Sequence, residues 1–489
     1  MIASTISWIL AQEPTLEELQ TQIEDIKSAQ ALDSIVLGEF YYFFTVAILW
    51  LAHVGFMAYE GGASRRKNVM STAMKNILTI AIVTPTFYYF GWYIYTCFGE
   101  GLIPYGPDAV GYGGFQGGFC ASGWPWSDNL GPNFGDHITG VFWAIFLLFS
   151  WTTASILSGA VIERIRLSAF LILGTILGSV IWILDAAWGW SPYGFLPLRW
   201  GFHDAIASLV VHGVAGAFAL GVLMNLGPRI GKYSADGLAR NFRGHNTHLT
   251  LMGLLLIFVG FYGFYAGCLA ISSLTFPGWY NIYFNPTTLS AITYAITIGF
   301  AGGFTGGYFA SRGDPFWTLS GGLAGVISVS AGADVYAPSL VWLISISGGA
   351  IAVYAGNYIE KKLRIDDAVG AVAVHGVCGF YGVLAVGLFA SGYPTGLNNV
   401  DVTLQGQLMG MLIFLPLAFF GGYIPAWILK QFNLLRVPPE VELEGLDLAE
   451  FGVDFYPEFE RATEHVVLPS GEEVESEPVL LDAFREART

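Results

Sequence analysis

DAIASLVVHGVAG, residues 204–216, and DAVGAVAVHGVCG, residues 367–379, are two versions of one phrase. Each opens on an aspartate, and each sets a His-Gly-Val eight residues further on, at His212 and His375. Both lie inside long apolar stretches. Outward from them, windows of about twenty apolar residues, enough to cross a hydrocarbon core of ~30 Å, fall near 40–61, 76–98, 138–161, 167–187, 204–227, 248–272, 288–310, 316–333, 339–360, 368–391 and 405–430. The windows predict an all-α polytopic membrane protein with eleven transmembrane helices.

Basic residues orient the spans, because cytoplasmic loops collect Lys and Arg. With the N-terminus outside, the inner loops receive Arg65, Arg66, Lys67, Lys75, Arg164, Arg166, Arg229, Lys232, Arg240, Arg243, Arg312, Lys361, Lys362 and Arg364, and Lys430 and Arg436 flank the last span. The outer segments keep only Lys27 and Arg199. An odd number of spans, N-terminus out and C-terminus in, follows. The two phrases then run in opposite directions, Asp204 starting from the outer side and Asp367 from the inner. A weaker pair, VGFMAYEGGAS from Val54 and VGFYGFYAGCL from Val259, is again antiparallel. Repeats of this kind build transporters around a two-fold axis in the membrane plane. Two five-helix inverted repeats, 40–227 and 248–391, account for ten helices, and the eleventh stands outside them. Histidines at equal depth from opposite ends meet near the midplane.

Composition agrees. Of 489 residues, 54% are hydrophobic and 12% charged, with mean hydropathy +0.57, where a soluble domain carries about a quarter charged residues. The net charge of −16 is not a property of the body. Residues 13–39 hold seven acids and Lys27, and residues 440–489 hold fifteen acids against Arg461, Arg485 and Arg488. Nucleic acid, which wants a basic surface, is therefore excluded as a partner. The division expected is an extracytoplasmic segment over 1–37, with a short amphipathic helix near 13–33, a transmembrane domain over 38–430 and a cytoplasmic acidic tail over 431–489. Cys97 and Cys120, at the outer end of a span and in the next loop, either pair in an oxidising compartment or stay free thiols.

Ionisable groups inside a bilayer are expensive and mark function by default. A single buried histidine is more often a packing residue. A symmetric pair in an inverted repeat is a site. Each neutral imidazole offers one donor and one acceptor, which suits a small neutral hydrogen-bonding solute, and burial disfavours the charged ring. Without a third ligand or a carboxylate beside them, a metal centre does not follow, and no cofactor is implied. Asp204 and Asp367 sit at helix N-termini, where the dipole favours a carboxylate, so capping is their first expected role. Glu60 is expected to face an inner vestibule, Glu163 to pair with Arg164 or Arg166, and His53, His245 and His248 to be structural. Trp188 or Trp190, at the outer end of the fourth span, could hold a cation on an indole face.

At AYEGGASRRKNVM, SGAVIERIRLSAF, GFHDAIASLVVHGVAG, HNTHLTLMGLLLIFVGFYGFYAGC, IDDAVGAVAVHGVCGFYG and the tail EGLDLAEFGVDFY, the chain resembles the ammonium transporter family of Amt, MEP and Rh proteins, from about Gly55 to Tyr456. The resemblance implies ammonium uptake across the plasma membrane, with ammonium, and methylammonium as its analogue, the transported species, and no enzymatic activity. It makes His212 and His375 the pore histidines, Phe149 and Phe264 the stacked rings of an outer gate, and Trp190, Phe149 and Cys268 the recruitment site, with Trp188 as the alternative to Trp190. Cys268 stands where the family usually has a serine, and a thiol is the weaker hydrogen-bonding group. Glu60 stands where many members carry an aromatic or another residue. A homotrimer in membrane lipid, and a regulatory tail that contacts a neighbour and a PII-class regulator, are implied in the same way.

Overall fold

The structure, a computed structural model, describes residues 15–102, 120, 125–126, 130, 139–242, 244–271, 278–390, 402–453, 455–456, 464–467 and 473–476, without the side chains of residues 30, 31, 34 and the last two segments. Among the described residues, ten helices are long and apolar enough to cross a membrane: Ile35–Ala63, Arg66–Cys97, Thr139–Ala160, Leu167–Gly189, Ser208–Leu226, Thr247–Gly267, Leu289–Ser311, Pro338–Lys361, Val372–Phe389 and Leu404–Gln431. Between the seventh and eighth of these runs a further helix, Pro315–Ser330, of 16 residues. It spans about 24 Å at ~1.5 Å per residue and is buried from Ser320 to Ser330. With it the order matches the expected eleven spans, and below it is counted as the eighth.

Polar residues start the spans where backbone N–H groups would otherwise be orphaned. Asn246, Thr288, Asp314 and Thr403 each accept a backbone N–H three residues on. The first helix departs from expectation. Instead of a short separate helix followed by a span, one helix of 48 residues runs from Leu16 to Ala63 behind a capping box of Thr15 and Glu18. No glycine or proline interrupts residues 15–37, so nothing ends the helix before the bilayer, and Leu16, Leu19, Ile23 and Ile26 are exposed on it.

Small residues let the helices close up, as interhelical packing in lipid requires. The first and sixth spans pack antiparallel. A Cβ at Gly55 would strike the backbone of Gly253 and Ile257, and one at Gly260 the backbone of Ala52. Outside the bundle, Leu269–Ile271, Trp279–Asn281 and Pro286–Thr287 form a three-stranded antiparallel sheet. Cys97 and Cys120 form a disulfide, at the end of the bundle remote from the basic loops.

Candidate functional site

The two Asp-to-His phrases fold alike. Both carboxylates cap their helices: Asp204 accepts the backbone N–H groups of Ser208, Leu209 and Val210 at 2.6–3.0 Å, and Asp367 that of Val372 at 2.6 Å. Five residues before each histidine the backbone turns left-handed, at Ala207 (φ 60°) and Gly370 (φ 73°). Each histidine then lies in one π-helical turn, Ser208–Gly213 or Val372–Val377, that runs on as α-helix over Val214–Leu226 or Cys378–Phe389. Such turns are rare and recur at functional sites. The helices cross where glycine faces glycine. A Cβ at Gly216 would meet the Gly376 nitrogen at 2.2 Å, and one at Gly379, its repeat mate, the Gly213 nitrogen at 2.5 Å. That crossing brings the imidazoles together, His212 Nδ1 to His375 Nδ1 at 3.0 Å. Both rings are buried, and His212 Nε2 has no hydrogen-bond partner among the described residues.

Aromatic rings lead to this pair from the end opposite the basic loops. The Trp190 and Phe149 centroids are 5.1 Å apart, Phe149 and Phe264 4.6 Å, and Phe264 and His212 5.6 Å. Phe261 lies nearly parallel to His212, at 5.7 Å and 9°. Trp190, Phe149 and Phe264 are all closed to solvent. Trp188 turns away: its indole N–H donates to the Phe98 carbonyl oxygen and its ring packs on Phe195. Of the two tryptophans, Trp190 belongs to the stack. Cys268, one turn beyond Phe264, donates its thiol to the Phe264 carbonyl oxygen (3.2 Å). On the other side of the pair, His375 and Glu60 line one cavity.

The chain that folds a buried row of rings onto two paired imidazoles is similar to known proteins. The sequence profile described as Ammonium Transporter Family matches residues 40–456. The chain belongs to the ammonium transporter family. It is 32% identical over 432 residues to ammonium transporter Amt2 of Archaeoglobus fulgidus, covering 84% of this chain and 86% of that one. It is 30% identical over 454 residues to ammonium transporter Amt2 of Methanocaldococcus jannaschii, covering 90% and 97%. Among solved structures, the one titled Sensor Amt Protein superposes with a TM-score of 0.71 at 25% identity, over 86% of this chain and 99% of that one. The comparisons support ammonium transport by a multi-pass membrane protein, not an enzyme.

At the basic end, the transporter ties its loops together with buried ions. Glu163 does not pair with Arg164 or Arg166. Its carboxylate accepts from Arg65, whose side chain reaches it at 2.7 Å, and from Arg229 at 3.3 Å, because a left-handed turn at Glu163 (φ 72°) swings the side chain away from its neighbours. Arg229 also grips Asp366 with Nε at 2.8 Å and Nη2 at 2.9 Å. Burial alone would raise both carboxyls, but Arg229 and Arg65 outweigh it for Glu163, and Arg164 and Arg229 for Asp366, so both sit below the usual carboxylate range. Arg164 donates to the carbonyl oxygens of Ile162, Gly227 and Asp366. The tail docks on the same face of its own chain: Asp447 accepts the backbone N–H groups of Met70 and Ser71, Glu442 that of Ile230, and His245 bonds the Tyr456 hydroxyl.

Several polar partners of the transporter carried no sequence signal. His203 Nε2 meets Asp334 at 3.0 Å, and Asn281 donates to the same carboxylate at 2.7 Å, beside the tryptophan end of the stack. Ser158 and Asn76 hold Glu60. His53 is a packing residue, wedged against Trp50 and Trp151.

Proposed function

We propose that the transporter takes up ammonium by recruiting it at Trp190, Phe149 and Cys268 and conducting it as ammonia past a pore of His212 and His375. The observation that carries this reading is the imidazole pair at the buried end of the ring stack, with His212 Nε2 unpaired among the described residues. One proton shared between two Nδ1 atoms leaves one ring with a bare Nε2 and the other with an Nε2–H. Ammonia donates to the first and accepts from the second. A cation is not served this way, and carrying one to the bilayer centre costs at least ~2.5–3.5 kcal/mol. Deprotonation before Phe149 and Phe264, which form the gate against water and hydrated alkali ions, follows from that cost. At the approach, an indole face attracts a cation by ~2 kcal/mol or more once water is excluded.

The basic loops set the direction. They face the cytoplasm, so the Trp190 end of the stack lies toward the exterior, the N-terminus is outside and the tail is inside at the plasma membrane. The disulfide at the opposite end suits an oxidising exterior. Asp204 and Asp367 hold the two half-helices and shape the field along the pathway. The assembly is a homotrimer with one pathway per chain, a reading supported by family membership, and the tail, docked at Met70, Ser71 and Ile230, is where a PII-class regulator would act. Methylammonium uptake in cells lacking their own ammonium transporters tests the whole. Expression at the membrane without uptake would overturn it. The likeness to a sensor Amt protein and the docked tail favour a second role as ammonium sensor, which intact tail signalling in a chain without flux would reveal.

A further inference from the structure

Among the described residues, Glu60 is the carboxylate that lines a cavity with His375, and the mechanism above does not use it. It lies in the last turn of the first helix, 1% exposed, and shares a cavity with His375, Tyr59, Ser320, Phe56 and Ile257. The cavity offers about 20 Å³ to the centre of a water-sized molecule, above the ~10–15 Å³ that one water needs. Ammonia is of the same size. Leaving His375 on this side, it enters a space walled by a carboxyl.

The surroundings hold that carboxyl without neutralising it. Ser158 Oγ lies 2.6 and 2.7 Å from its two oxygens and has one proton to give, and Asn76 Nδ2 donates at 2.9 Å. Both are neutral. No cation forms a salt bridge with Glu60 among the described residues. Lys75, on the second span, acts on it through space, but its Nζ lies over the Phe170 ring at 5.9 Å with no hydrogen-bond partner. The other titratable groups nearby are Tyr59 on its own helix and His375 across the cavity, with Asp367 acting on Tyr59, and the tail's Glu450 together with Arg164 and Glu163 acting on Lys75. The third span gives up a side chain to make the room: a Cβ at Gly159 would come within 3.1 Å of Glu60 Oε1 and 2.7 Å of Val369. An unpaired carboxylate is costly to bury, and a carboxyl in this setting exchanges a proton at less cost than it keeps a charge.

We propose that Glu60 is the proton donor that re-forms ammonium at the inner end of the pathway, an inference that rests on the reading of ammonia passing His212 and His375. The ammonia lone pair takes the carboxyl proton, an N–H bond forming as the O–H bond breaks, and leaves ammonium beside a carboxylate. The ion departs into cytoplasmic water, and a hydronium ion from that water returns a proton to Glu60. Each ammonia delivered thus draws one proton from the inner solution.

The test uses the full chain in proteoliposomes of uniform orientation, with ammonium flux measured against inner pH at a fixed gradient. The parent should slow as inner pH rises and empties the carboxyl. Glu60→Gln should lose most of its maximum rate, with half-saturation little changed and the inner-pH limb flattened. Glu60→Asp, which keeps a carboxyl, should be intermediate in rate and retain the limb. Glu60→Gln matching the parent in rate and profile overturns the proposal. So does an equal loss in Glu60→Gln and Glu60→Asp with the pH profile unmoved, which would mark Glu60 as a packing residue. A parent that carries no ammonium, or a His212→Ala chain identical to it, would overturn the pore reading instead.

Discussion

Replacing Gly216 by Ala should part the helices that carry the two histidines. The new Cβ would lie 2.2 Å from the Gly376 nitrogen and 2.3 Å from its Cα, where ordinary contact begins at 3.4 Å. The atoms in the way are backbone and cannot rotate aside, so one helix must retreat by about 1.2 Å, the shortfall in that contact. Carried to the imidazoles, the same displacement stretches the 3.0 Å Nδ1 contact to about 4 Å, beyond hydrogen-bond reach. Overpacking of this kind costs ~1–3 kcal/mol, and the lost hydrogen bond ~1 kcal/mol more. Gly379→Ala should behave alike, since its Cβ would meet Ser208 O at 2.3 Å and Gly213 N at 2.5 Å. Gly376→Ala is the control at the same crossing. Its nearest contacts would be the C and Cα of Gly216 at 3.3 Å, which a shift of a few tenths of an ångström relieves. Methylammonium uptake, corrected for abundance in the membrane, should fall roughly tenfold or more for the first two, tenfold being worth ~1.4 kcal/mol, and stay near the parent's for the third. Thermal unfolding in detergent should rank the variants in the same order. A Gly216→Ala chain equal to the parent, or a Gly376→Ala chain that falls as far, would refute the claim that this crossing sets the histidine pair.

Arg229→Met should cost ~3–5 kcal/mol of stability, because it removes the buried cation that Glu163 and Asp366 share and leaves them only Arg65 and Arg164, read as a lower midpoint of thermal unfolding. Both carboxyls sit below their ordinary range, so the stability they confer is complete above that range and is lost as pH falls through their depressed values; the parent should resist acid down to pH values where the Arg229→Met chain has already unfolded. His212→Ala and His375→Ala should each change flux or ammonium-over-potassium selectivity, His375→Ala the more in selectivity because its vacated space joins the cavity beside it; normal expression with unchanged rate and selectivity in both would make the histidines packing residues. Reporter fusions at Lys232 and Lys362 should read as cytoplasmic and one at Tyr280 as external, and a cytoplasmic signal at Tyr280 would reverse the sidedness assigned here.

What could be read in advance was whatever repeats along the chain. The eight-residue step from aspartate to histidine, met twice in opposite orientation, was enough to predict that two side chains 163 residues apart in sequence would come to the same depth, and the structure puts them 3.0 Å apart. The caps followed from the same phrase, since a carboxylate opening an apolar run has few other tasks. The ring stack was legible only by likeness to the family: among 37 phenylalanines nothing in periodicity singles out Phe149 or Phe264. Pairings across loops were not legible at all. Glu163 chose Arg65 and Arg229, 98 and 66 residues away, over the arginine beside it, because a left-handed backbone turn decides where its side chain points. The length of the first helix was misjudged for a different reason. Hydropathy marks where a chain enters lipid, whereas a helix ends only where a breaker or cap stops it, and none stands between Thr15 and Gly38.

The repeat is symmetric in backbone and asymmetric in what it faces, and the difference lies along the pathway. Gly216 and Gly379 make equivalent contacts, and Asp204 and Asp367 cap equivalent turns. Yet His212 forms a cluster with Phe261 and Phe264, at 5.7 and 5.6 Å, while His375 borders a cavity that carries a carboxyl. One imidazole thus meets its guest across a dry aromatic wall, the other across a space with room for water. In the mechanism proposed above, ammonium sheds a proton before the first and regains one beyond the second. A two-fold scaffold by itself would treat both directions alike, so a sided chemistry of the kind proposed would have to reside in the residues that break the symmetry: Phe261 and Phe264 on one side of the pair, Glu60 with Ser158 and Asn76 on the other.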